Sequence, residues 1–179
     1  KEPPDLPQLD AKGTKRIQKI NGRFLYYARG VDGFMLPTTN EIGNQQAAPT
    51  QKTNEAATML MDYAHTYPNA TIRYYASDMC LHVDSDAAYL VLPKARSRGA
   101  GHFYFSNRVS DSVKKPSPKP NGAILTECNT LRSVMTSAAE AETITVFNNG
   151  KSAVPIRVTA DLPLLNTCLL YTSPSPRDS

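Results

Sequence analysis

Leu81-His82-Val83-Asp84-Ser85-Asp86-Ala87-Ala88-Tyr89-Leu90 is the stretch on which the reading of this chain turns. As a strand it alternates: Leu81, Val83, Ser85, Ala87 and Tyr89 fall on one face, and His82, Asp84 and Asp86 on the other. Two carboxylates on one strand face repel each other and resist burial. They settle either in water, as at an ordinary solvated strand edge, or around a shared hard cation with oxygen ligands. The strand alone does not choose between these; its surroundings do.

Upstream the pattern is helical. Residues 1–11 are Pro-rich and read as an extended lead-in. Over 12–29, Ile17, Ile20, Phe24 and Ala28 recur at three- and four-residue steps, while Lys15, Arg16, Lys19 and Arg23 lie mostly elsewhere. Gly30 and Asp32-Gly33 end that helix. Thr38 is expected to cap a short helix, with Glu41 closing a capping box. Thr53 or Asn54 is expected to open a further helix through Thr66, with Ala56, Met59, Leu60 and Tyr63 turned inward. Residues 12–69 thus read as a small helical segment.

Around the opening stretch, period two takes over. Residues 71–75 (Thr-Ile-Arg-Tyr-Tyr), 99–107 and 123–126 read as further strands, the last extending toward Leu131. Short connections favour an antiparallel meander. Tyr26-Tyr27 and Tyr74-Tyr75 read as helix and sheet packing, and His65, His82 and His102 as lone structural or surface histidines. A helix is expected after Leu131, with Thr136 or Ser137 as N-cap and Glu140 or Glu142 in its first turn, where carboxylates suit the dipole. Gly150 weakens it, and Pro155 kinks it or starts a second piece through 162.

Composition narrows the function classes. A length of 179 residues allows one domain or a little more, and a mean hydropathy of −0.41 suits a modest core. No run approaches the roughly 20 apolar residues of a membrane helix. The net charge of +4 permits an anionic partner. Lys94, Arg96, Arg98, Arg108, Lys114, Lys115 and Lys119, opposed only by Asp111, are candidates for phosphate contact, the alternative being a solvated loop. Cys80, Cys128 and Cys168 are odd in number and widely spaced, which argues against a disulfide framework and a zinc site and fits a reducing compartment. The start lacks Met and a signal-peptide layout, as expected of an internal piece of a longer chain. Residues 168–178, Cys-Leu-Leu-Tyr-Thr-Ser-Pro-Ser-Pro-Arg-Asp, match a translated sequencing-library adapter, so 163–179 is expected to be a disordered, largely adapter-derived tail.

Six further segments occur in fixed order with the opening stretch. They are Lys15-Arg16-Ile17-Gln18-Lys19-Ile20, Phe24-Leu25-Tyr26-Tyr27-Ala28-Arg29, Ala76-Ser77-Asp78-Met79, Lys94-Ala95-Arg96-Ser97-Arg98, Asn121-Gly122-Ala123-Ile124-Leu125-Thr126 and Thr136-Ser137-Ala138-Ala139-Glu140-Ala141-Glu142. With Ser85-Asp86-Ala87, this set resembles LTR-retrotransposon Pol polyproteins of the copia/gypsy kind, from the end of the reverse transcriptase into the RNase H domain. The resemblance covers residues 9–162. It implies an α/β chain: a helical reverse transcriptase connection segment over 12–69, then a truncated RNase H-like domain over 70–162, with three antiparallel strands followed by a helix.

The resemblance also assigns roles. Asp86 falls on the family's first catalytic aspartate, and Glu142, ahead of Glu140, on its glutamate. Asp84 is an additional acid that either tunes the metal site or faces solvent. The family's third acid, an Asp on a fourth strand, comes after the last residue of this chain, and Asp161 lacks its surrounding motif. The parent reaction would be two-metal hydrolysis of the RNA strand in an RNA–DNA hybrid, with two Mg²⁺ ions. The implied partners are the hybrid and the remainder of the Pol polyprotein, with no membrane and no small-molecule cofactor. The implied location is intracellular, in a cytoplasmic particle or the nucleus. With the third carboxylate missing, the chain alone is expected to hold Mg²⁺ weakly and not to cleave. The alternatives are a non-catalytic nucleic-acid-binding remnant, and a metal-free acid/base hydrolase using Asp86 and Glu142.

Overall fold

The structure, a computed structural model, describes residues 7–108 and 118–165. It is a mixed α/β chain, with four helices and one sheet of three antiparallel strands among the described residues. Helix α1 (Ala11–Gly30) starts at Asp10, whose Oδ1 accepts the Gly13 N–H at 2.7 Å. Ile17 and Ala28 are buried on its inner face as the spacing predicts, with Ile20 and Phe24 packed beside them.

Two caps differ from the sequence-based expectation. Helix α2 (Leu36–Gln45) starts before Thr38, with Pro37 in its first turn, where the missing N–H costs nothing. Thr38 and Glu41 therefore lie inside the helix rather than capping it. Helix α3 (Gln51–Thr66) starts after Thr50, and Thr53 lies within its first turn. The Thr53 hydroxyl accepts the Thr50 N–H at 3.1 Å and donates to Gln45 Oε1 at 2.7 Å. Leu60 is buried as expected, with Ala57 beside it in the core, whereas Met59, expected to face inward, is 71% exposed. Ile17, Ala28, Met35, Leu36, Ile42, Ala57 and Leu60 form the first core.

Residues 71–75 form no strand. Their backbone is tied instead by one side chain: Asn121 Oδ1 accepts the Tyr75 N–H, and Asn121 Nδ2 donates to the Tyr75 carbonyl, each at 2.9 Å. The sheet consists of β1 (Cys80–Leu92), β2 (Arg96–Ser106) and β3 (Ala123–Thr130), in that order. The β1–β2 register runs from Cys80 opposite Ser106 to Ala88 opposite Arg98 and then shifts before Leu92. At the shift Leu90 is left-handed (φ 53°), and its N–H donates to the Ser97 hydroxyl at 3.0 Å.

Helix α4 (Ala138–Leu165) covers one sheet face. It runs unbroken across Gly150 and Pro155 and three residues past 162, where the sequence pattern predicts an end. Leu131, Met135 and Ala141 form a second core, with Ala87, Tyr89 and Ile144 against it. The other face is covered at β3, where Cys128 packs against the first core and Asn44 donates to the Thr130 hydroxyl at 2.9 Å. Over β1 no helix or strand among the described residues covers that face. No helix among the described residues is long and apolar enough to cross a membrane.

Candidate active site

The open face of β1 is where the two aspartates sit. Burial alternates along the strand, with Asp84, Asp86 and Ala88 exposed and Ser85, Ala87 and Tyr89 half-buried. The half-buried set faces α4: Asn149 Nδ2 donates to the Ser85 hydroxyl at 2.8 Å, and Tyr89 donates to the Met135 carbonyl at 3.3 Å. The alternation read from the sequence therefore holds, and the acids lie on the face away from α4.

Glu142 reaches β1 from α4. Its Oε1 accepts the Ala87 N–H at 3.3 Å, so the carboxylate lies against the backbone of the residue after Asp86. Among the described residues β1 pairs only with β2, and this N–H is satisfied by a side chain instead of a neighbouring strand. Glu140, the one acid in the first turn of α4, is engaged in the cap. Its Oε2 accepts both the N–H and the hydroxyl of Thr136 at 2.7 Å, which holds its carboxyl below the ordinary range. Glu140 is thus occupied locally, and Glu142 is the acid presented to the strand.

Asp84 has a different neighbour. It lies opposite His102 in the ladder and is hydrogen-bonded to the Tyr104 hydroxyl. Tyr104 is almost wholly buried; burial pushes its phenol up, and the Asp84 charge and hydrogen bond push it further. His82 stacks on the Tyr104 ring, 5.6 Å between centroids, and His102 is tilted against it at 5.3 Å. These contacts give His82 and His102 a packing role on this face.

The donor set suits a hard cation only in part. Asp86 is an exposed carboxylate, and Glu142 has one oxygen committed to Ala87. Asp86 projects on the face away from α4 while Glu142 comes from α4 to the strand edge, so the structure does not gather the two carboxylates on one face. An ion that prefers six oxygens would meet both only across that edge, with water completing the shell.

The described basic residues do not form one patch. Lys94 lies at the hairpin tip, where it and Ala95 are left-handed (φ 61° and 52°), and Arg96 and Arg98 follow on β2. Arg108 and Lys119 lie beyond the opposite end of β2, which at about 3.3 Å per residue is some tens of ångströms away. Lys114 and Lys115 lie outside the described residues. Arg98 shares the Asp86 face, two pairs along the ladder; its Nε is buried and has no hydrogen-bond partner among the described residues. Sequence spacing joined these cations, and a strand between them parts them. A scan against protein-family models and searches of curated proteins and of solved structures find no match to the chain.

Proposed function

We propose that this chain is a piece of a retroelement Pol polyprotein, spanning the reverse transcriptase connection and the first part of an RNase H domain. The parent activity in this reading is hydrolysis of the RNA strand of an RNA–DNA hybrid. The observation that supports it most directly is the Glu142 Oε1 to Ala87 N–H contact at 3.3 Å, which joins the acid of the helix to the residue beside Asp86. The ordered motifs named above supply the family, and the intracellular setting follows from it.

In this reading Asp86 and Glu142 are the residues that would hold Mg²⁺. The ion supplies charge neutralisation at the phosphate and a more acidic bound water. Asp86, exposed and hydrated, contributes a negative oxygen at the strand surface, and Glu142 is oriented by the Ala87 N–H. Asp84 acts through Tyr104 instead, fixing the face from which Asp86 projects. Arg96 and Arg98, on the same hairpin, are the basic residues suited to a phosphate backbone at this site. With two carboxylates in place of three, the proposal is weak Mg²⁺ binding without turnover.

An RNA–DNA hybrid carrying a fluorophore and quencher, incubated with the chain and excess Mg²⁺, tests both halves. The expected result is no cleavage above background, together with Mn²⁺-induced broadening of the Ala87 and Glu142 amide signals that Asp86→Asn removes. Turnover in the wild-type chain that Asp86→Asn lacks would refute the claim of inactivity. Absence of any broadening near Ala87 would remove the metal site.

A further inference from the structure

An open groove of about 900 Å³ lies between the end of α1, the end of α3, the 70–75 segment and the start of β3. Neither Asp86 nor Glu142 lines it. Its walls carry Phe34, Tyr63, Tyr67, Arg73, Tyr75 and Asn121. Phe34 is 87% exposed, Tyr67 60% and Tyr75 58%. Large aromatic rings left in water forfeit burial energy that a folded chain ordinarily recovers, and a cluster of them marks a binding surface.

These rings are also held in place. Phe34 follows Asp32, whose carboxylate accepts the Phe34 N–H at 3.2 Å and is hydrogen-bonded to the Tyr63 hydroxyl. Tyr67 packs against Tyr63 with ring centroids 5.1 Å apart. Tyr75 is clamped through its backbone N–H and C=O by the Asn121 amide. Gly122 beside this clamp has no room for a side chain, since a Cβ there would lie 2.5 Å from the Arg73 carbonyl oxygen. Three exposed rings on separately anchored backbones form a preorganised surface rather than loose side chains.

The charge around the groove selects the occupant. Lys119 places its ammonium 5.6 Å from the centre of the Tyr75 ring, and Arg73 lines the wall. Among the described residues the only carboxylate lining the groove is Asp32, which is 4% exposed and already bonded. Flat apolar faces flanked by cations suit a chain that alternates planar rings with anions. We propose that this groove binds single-stranded nucleic acid, with bases stacked on Phe34, Tyr67 and Tyr75 and phosphates met by Arg73 and Lys119. A duplex keeps its base faces stacked internally and does not offer them to the groove. The proposal is independent of the retroelement reading.

Fluorescence anisotropy of labelled dT12 and rU12 oligonucleotides with the full chain is the test. Phe34→Ala, Tyr67→Ala and Tyr75→Ala are each expected to weaken binding about tenfold, the loss of one stacked base. Tyr67→Phe and Tyr75→Phe, which keep the ring, are expected to bind like the wild type. Arg73→Ala combined with Lys119→Ala is expected to flatten the log-affinity versus log-salt slope by about 1.4, for two phosphate contacts. Asp86→Asn is expected to leave dT12 affinity unchanged, so failure of the hybrid site and failure of the groove are read separately. Equal affinity for dT12 across the three alanine variants, with unchanged thermal melts, would overturn the groove as the site. So would binding of a proline-rich decapeptide, followed through the Tyr67 and Tyr75 signals, where dT12 does not bind.

Discussion

Glu140, in the first turn of α4, and Glu142, two residues on, put their oxygens to different work. Glu140 accepts two hydrogen bonds from Thr136, and its own N–H donates to the Ser137 hydroxyl at 3.1 Å, so this acid and Ser137 together close the helix start. The Thr136 backbone N–H is the main cause of its lowered pKa, followed by the Thr136 hydroxyl. A carboxyl whose folded pKa lies below its ordinary value of 4.5 stabilises the fold fully above that value. The contribution disappears as pH falls through the depressed folded value. Glu140→Gln is therefore expected to lower the melting temperature at pH 7, and the gap to wild type to shrink below pH 4.5 and close in stronger acid. Glu140 is only half-buried, and the effect is correspondingly small. Melts of both proteins across this range decide it; a gap of constant size from pH 7 to strong acid would show that ionisation contributes nothing.

At the scale of elements, the decisive fit is between β2 and α4. A Cβ added at Gly101 would lie 2.6 Å from Asn149 Oδ1 and 2.8 Å from Phe103 Cε2; one at Gly99 would lie 2.7 Å from Thr145 Oγ1. Asn149 is fixed by its bonds to the Ser85 hydroxyl and the Ala100 carbonyl, at 2.8 and 2.9 Å, and so yields little room. Gly101→Ala is expected to destabilise by about 1–3 kcal/mol through overpacking. Gly150→Ala, on the same helix with nothing within 4 Å, is expected to stabilise by about 1 kcal/mol from helix propensity alone. Urea midpoints of the two variants check the contrast, and equal shifts would refute the close approach. The glycines of β2 do not disclose this partner in sequence, because α4 follows them by some forty residues. The alternation of β1 and the spacing of Ile17 and Ala28 were legible because each reports a face periodicity set locally. The cap at Thr50 was not, since Thr50 and Thr53 both suit an N-cap and the Gln45 side chain decides between them. Residues 71–75 carry β-branched and aromatic side chains, yet an Asn amide takes the place of a partner strand. The resemblance singles out Glu142, but its contact with the Ala87 N–H is not visible in the sequence, and the separation of Arg96 from Arg108 is visible only once β2 stands between them.

At the scale of the whole molecule, the helices cover the sheet unevenly, and β1 is left as an edge. Its thirteen residues, Cys80–Leu92, pair with β2 alone among the described residues, and a long unpaired edge invites a strand from another copy. Three features oppose that. Asp84 and Asp86 charge the open face, the left-handed Leu90 breaks the straight run, and Glu142 occupies the Ala87 N–H that an added strand would use. The acids proposed to hold a metal thus also guard the edge, and the two roles separate under substitution. Asp86→Glu keeps the charge, whereas Asp86→Val with Glu142→Leu removes the charge and frees the N–H. The double variant is expected to self-associate, with light scattering that rises with protein concentration, at concentrations where the wild type and Asp86→Glu remain monodisperse. Asp84 is left intact in this test because its removal would leave the buried Tyr104 hydroxyl without its partner and confuse association with unfolding. A double variant that stays monodisperse, while melting as a folded protein, would mean that Asp84 and the twist at Leu90 protect the edge without help from Asp86 and Glu142.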